Sequence, residues 1–273
     1  MRVPHVILIG LPALSLLAYL TVCALLYVFQ RSLIYFPQPR SLGATANAQV
    51  LAVSDARLVI TTLRGANLAR PATDALKQRE AIIYFGGNAD DVSAYLEPFA
   101  ATFPEHALYL MHYRGYGGST GAPSEEALAR DALALFDGVQ RNHNTVRVMG
   151  RSLGSGVAVR LASARPVASL VLVTPYDSVV GIGQSRFPWV PVTWLLKDRF
   201  ESGRYAANIR APCVLITAQN DTVVPAWSSA QLLSRFLPGV ARLEVIPGTA
   251  HDSIVAHPQF MQRLRAGILG KTP

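Results

Sequence analysis

The chain has 273 residues, of which 51% are hydrophobic and only 15% charged, with a formal net charge of +8. So large an apolar fraction excludes a wholly disordered chain, because a sizeable core can offset the entropy of ordering. The basic residues are scattered, with no run of five and no strip interleaved with aromatics, so no nucleic-acid partner is expected and anionic lipid headgroups suit them better.

The first predicted element is an apolar helix. Val6 to Phe29 carries no charge over 24 residues. At about 1.5 Å per residue such a helix reaches about 36 Å, enough to cross a hydrocarbon core of about 30 Å with some tilt. The stretch is longer than the roughly 7–15 apolar residues of a cleaved signal peptide, so residues 1–30 are expected to form a retained transmembrane anchor. Arg2 lies on one side and Arg31 and Arg40 on the other, a difference too small to orient it. Cys23 sits inside this segment and Cys213 opens a later apolar run, so no disulfide is expected.

Roughly 240 residues remain, a length that suits one α/β domain over 31–273. Short apolar runs predict strands at Arg57–Leu63, Ala81–Phe85, Ala107–Tyr113, Val146–Met149, Ser169–Val173, Cys213–Ala218 and Arg242–Ile246. Between most of them lie predicted helices, at Asp91–Phe103, Ser124–Gln140, Gly154–Ala164 and Ser228–Phe236. Alternation of this kind, with strands apolar on both faces, predicts a largely parallel sheet flanked by helices. Residues 176–210 exceed an ordinary crossover and carry Phe187, Trp189, Trp194 and Phe200, which suggests a small cap inserted over the site.

The chemistry centres on Gly150-Arg151-Ser152-Leu153-Gly154, between a predicted strand and a predicted helix. A serine on such a sharp turn presents its hydroxyl, flanking glycines let the turn close, and the N–H of Leu153 points where an oxyanion would form. A serine hydroxyl needs a base and the base an orienting acid, in the chain order Ser, acid, His. Asp221 and His251 follow the last two predicted strands in that order, on loops at carboxyl ends. Ser152, Asp221 and His251 are therefore the candidate catalytic residues.

The loop Gly86-Gly87-Asn88-Ala89-Asp90 offers a second oxyanion donor, assigned to the N–H of Asn88 beside that of Leu153. His106, His143, His257 and His5 read as surface or packing histidines, whereas His112 ends a strand near the expected site. Asp252 adjoins His251 but should diverge from it. The glycine-rich run from Arg114 to Gly121 lacks the endings of a phosphate loop and reads as a structural turn, with Arg114 in an internal ion pair. No metal-ligand cluster is visible and no cofactor is expected.

Taken together, Gly150–Gly156, Tyr113–Gly118, Gly87–Ala89, Asp221 with Val224-Pro225, and His251-Asp252 resemble the α/β-hydrolase family in order and spacing. Within it, the segment Gln30–Pro37 resembles the entry segment of the membrane-anchored lysophospholipase-like, monoacylglycerol-lipase-like and depalmitoylase-like branch. The resemblance covers roughly residues 30–265 and implies an α/β-hydrolase fold with a Ser152–His251–Asp221 triad and Asn88 and Leu153 as oxyanion donors. Gly86 departs from the histidine the family often has there, and His112 from the aspartate common in the branch. The implied function is hydrolysis of an acyl ester or thioester, with a small-molecule substrate and a lipid bilayer as partners. A prolyl-type aminopeptidase and a non-enzymatic membrane scaffold are the alternatives, and oligomeric state stays open.

Overall fold

A computed structural model of the chain describes residues 5–41, 48–63 and 79–270. Among these the strands are β1 Ala48–Val53, β2 Ala56–Leu63, β3 Ala81–Phe85, β4 Ala107–Met111, β5 Val146–Arg151, β6 Leu170–Val173, β7 Cys213–Ala218 and β8 Ala241–Ile246. The α-helices are α1 His5–Ile34, α2 Leu96–Thr102, α3 Glu125–Gln140, α4 Leu153–Ala164, α5 Val179–Arg186, α6 Val192–Leu195, α7 Gly203–Ala206, α8 Ala226–Arg235 and α9 Phe260–Ile268.

The strands form one sheet in the order β1-β2-β4-β3-β5-β6-β7-β8. The pairings of β1 with β2 and of β2 with β4 are antiparallel, and every other pairing is parallel. Several elements are additions to the predicted set, among them the short helices α5, α6 and α7 between β6 and β7. The edge strand β1 closes a hairpin with β2 through Ser54-Asp55, and α9 brings Phe260, Leu264 and Ile268 onto the sheet at four-residue spacing. Predicted ends shift by a residue or two: β5 runs on through Gly150 to Arg151, and the stretch after Asp91 begins as a 3₁₀ turn.

Strand residues alternate between two cores, as the period of two requires. Ile83, Phe85, Tyr109 and Val148 pack with α3, α4 and α8, while Ile82, Tyr84, Leu110 and Met149 pack with α2 and α9. Burying each large apolar side chain gains roughly 1.5–3 kcal/mol. Hence both faces of the parallel strands are covered and function is confined to the sheet's edges and ends.

Helix α1 holds the one stretch among the described residues long and apolar enough to cross a membrane, Pro12–Ile34, and little of it is buried. Its inner face is tied to the segment between β6 and β7. The Tyr19 hydroxyl donates to the Trp189 carbonyl at 3.0 Å, and the Lys197 N–H donates to the Gln30 side chain at 2.6 Å. Arg31 and Tyr35 both reach the buried carboxylate of Asp198, at 2.9 and 3.1 Å. Of the four aromatics expected over the site, only Phe200 is buried, whereas Phe187, Trp189 and Trp194 are exposed.

Candidate active site

Ser152 lies between the end of β5 and the start of α4, with φ 48° and ψ −119°. A non-glycine residue there stores roughly 1–3 kcal/mol of strain, which the neighbouring packing must hold. Glycines make the approach possible: a Cβ on Gly150 would collide with the Gly154 carbonyl, and one on Gly154 with the Phe85 carbonyl of β3. The Ser152 N–H donates to Val173 of β6 at 2.9 Å, so the turn is fixed from both sides.

Two loops bring the partners to it. Asp221 follows β7 and His251 follows β8. His251 Nε2 stands 3.0 Å from Ser152 Oγ, and His251 Nδ1 stands 2.8 Å from Asp221 Oδ2. A carboxylate can only accept, so Nδ1 carries the proton and Nε2 is free to accept from the serine hydroxyl. The other Asp221 oxygen takes the N–H groups of Val223 and Val224 at 2.9 and 2.7 Å, which fixes the carboxylate in the tight turn before Pro225. All three side chains are nearly removed from water, where hydrogen bonds to charged groups are strongest.

Asn88 lies on the loop after β3, next to β5 in the sheet. Strand order reverses between β3 and β5, so Ser152 and Asn88 flank the crevice where open α/β sheets bind ligands. Tyr113 donates to the Gly86 carbonyl at 2.8 Å, and Tyr116 to the Asn88 carbonyl at 2.7 Å. The Asn88 side-chain amide donates to the Ile34 carbonyl at 3.1 Å. The Gly87 N–H is occupied by Asp90 Oδ2 at 2.7 Å. Among the described residues, the N–H groups of Asn88 and Leu153 have no acceptor within the protein, so both remain available to a bound carbonyl oxygen.

Sequence reasoning missed Arg151. Its Nη1 meets Asp90 at 2.6 Å, and its Nη2 lies 3.1 Å from Asp252 and 3.4 Å from the His251 carbonyl. One guanidinium thus joins the Asn88 loop to the His251 loop beneath the serine. Its place inside the Gly150–Gly154 turn was the available signal. Asp252 is exposed and turned away from the imidazole.

The other histidines do not join this group. His112 is buried and bonded to Thr61 at 2.9 Å, and burial pushes its imidazole down to about 4. His106 lies beside Glu80 and Phe103, His143 bonds Tyr109, and the His257 ring accepts from the Gln259 N–H. The side chain of His5 lies outside the described residues. Arg114 makes a buried ion pair with Asp131 at 2.7 Å and a second one with the exposed Asp55 at 2.8 Å. Among the described residues no group of three or more His, Cys, Asp and Glu side chains could hold a metal ion.

No family model matches the chain. An uncharacterized protein of Mycobacterium tuberculosis is 34% identical over 256 residues, covering 89% of this chain and 88% of that protein. The α/β-hydrolase domain-containing protein aho-3 of Caenorhabditis elegans is 31% identical over 59% of this chain and 48% of its own length. The lysophosphatidylserine lipase ABHD12 of Mus musculus is 28% identical over 73% of this chain and 58% of the lipase. In structure, the chain resembles MGS-M2, an α/β-hydrolase enzyme from a deep-sea metagenome library, with a TM-score of 0.64 and 14% identity over 82% of this chain and 98% of that one. With these relatives, the mostly parallel sheet and the serine turn after β5, the chain belongs to the α/β-hydrolase family.

Proposed function

We propose that the protein is a membrane-anchored serine hydrolase that cleaves carboxylic esters or thioesters with apolar acyl chains. The observation that carries this reading is the unbroken pair of hydrogen bonds, 3.0 Å from Ser152 to His251 and 2.8 Å from His251 to Asp221. Ser152 Oγ attacks the substrate carbonyl while its proton passes to His251 Nε2. The resulting oxyanion is held by the N–H groups of Asn88 and Leu153, each such donor contributing about 10²–10³-fold in rate. The C–O or C–S bond then breaks, and the leaving group takes the proton from His251. Water attacks the acyl-serine, gives its proton to His251, and the serine regains it as the acid departs.

The lipase among the relatives supports an acyl substrate, and Pro12–Ile34 supports a single-pass anchor in a lipid bilayer. The peptidase alternative would need an unpaired acid in 176–210 to hold a free amine. Asp198 is bound by Arg31, Glu201 by Arg199 and Arg204, and Asp177 faces Arg235. We therefore expect the purified full-length protein to hydrolyse p-nitrophenyl esters, improving from acetate to medium-length acyl groups, and to cleave proline and alanine anilides poorly. A preference for the anilides would move the protein to the peptidase class. A preference for acetate would remove the apolar-chain substrate.

A further inference from the structure

A groove of about 280 Å³ runs between α1 and the segment joining β6 to β7. On the α1 side its wall is Val22, Leu26, Leu33 and Ile34, and on the other side it includes Val179 and Val192. The wall is almost entirely apolar. Its one amide side chain, Gln30, is already satisfied at both ends: Nε2 donates to the Leu195 and Tyr27 carbonyls, and Oε1 accepts from Lys197. A ligand with polar groups along its length would lose its hydration there and find no partner. An alkyl chain loses nothing.

Two further observations select the occupant. Pro12–Ile34 is long enough to span a bilayer, and its outward side chains Leu16, Leu17, Val28 and Phe29 are all exposed. The groove is therefore built partly from a surface that faces hydrocarbon, so an acyl chain can enter it without crossing water. The wall residue Ile34 is bonded through its carbonyl to the side chain of Asn88, on the loop that flanks Ser152.

We infer that this groove is the acyl-chain site of the enzyme and that it receives the chain of a bilayer-resident lipid directly from the membrane. The inference rests on the reading of Ser152 as the acylated nucleophile. Each methylene buried in the groove should raise kcat/KM about fourfold until the groove is filled.

The test uses the full-length protein in lipid vesicles and a dodecyl fluorophosphonate whose chain ends in a diazirine. After the probe has labelled Ser152, light should cross-link the chain end to peptides within residues 22–34 or 179–196. Labelled protein whose cross-links fall outside both segments would overturn the groove assignment. Absence of labelling at Ser152 would instead overturn the hydrolase reading on which it stands. Independently, L26W and V192W fill the groove from opposite walls and should each lower the ratio of dodecanoate to butyrate ester hydrolysis at least tenfold. A ratio unchanged in both variants contradicts the proposal.

Discussion

Arg151 and Asp90 form an ion pair with 2.6 Å between Nη1 and Oδ1, both side chains nearly buried, directly beneath the serine turn. The second Asp90 oxygen holds the Gly87 N–H, and the second Arg151 nitrogen reaches the loop of His251. The pair therefore ties the loop of Asn88 to the loop of His251. We expect Asp90→Leu to lower kcat about 10²-fold with little change in KM, since misplacement by about 1 Å is worth that much. Arg151 would then keep only the exposed Asp252 as a charged partner, so stability should also fall, by less than the about 3–5 kcal/mol of a fully unpaired buried charge. Asp90→Leu combined with Arg151→Met should recover stability in urea unfolding but not kcat. Recovery of both would reduce the pair to a structural role.

Stability should fall in mild acid through His112. Burial pushes its folded-state value from 6.5 down to about 4, against smaller opposing and reinforcing effects of Asp91 and Arg40 respectively. Between those values the unfolded chain binds a proton that the folded chain does not, so stability rises with pH there and is lost as pH falls from about 6.5 to 4. The full effect is about 3 kcal/mol, of which about 2 is spent by pH 5. His106, also lowered by burial, acts in the same direction. Urea unfolding at pH 7 and pH 5 should show a smaller loss for His112→Asn than for the parent. Equal losses would show that His112 does not carry the effect.

If Pro12–Ile34 spans a bilayer, the full chain should remain with membranes through a carbonate wash, and removal of residues 1–30 should release most of it. Release of the intact chain by the wash would sink the transmembrane reading. The truncation also removes Tyr19 and Gln30, two of the ties to the segment between β6 and β7. We therefore expect the released protein to be less stable to heat than the intact chain.

Much of this arrangement is legible in the sequence because it is locally written. Cys213–Ala218 is apolar on both faces and Val146–Met149 is interrupted only by Arg147, so their lengths mark buried strands and fix where Ser152 and Asp221 must emerge. The glycines of the serine turn report close backbone approach. β1 is apolar at five of its six residues yet none of them is buried, so composition does not mark it as an edge strand, and its place is set by pairing with β2. The Arg151–Asp90 pair joins residues 61 positions apart, and Asn88 bonds Ile34 across 54. No spacing rule encodes such contacts. The same holds for the segment between β6 and β7: composition places aromatics in 176–210, but only packing decides that Phe200 turns inward while Trp194 faces out.

The central claim is that Ser152 is the covalent nucleophile activated by His251. The most direct measurement is labelling of the purified full-length protein by a fluorophosphonate, with the modified peptide identified by mass spectrometry. We expect a single adduct on Ser152, abolished in Ser152→Ala and slowed at least 10²-fold in His251→Ala, since general-base assistance contributes about 10²–10⁴-fold. Full-strength labelling of the Ser152→Ala protein, or an adduct on another residue, would contradict it.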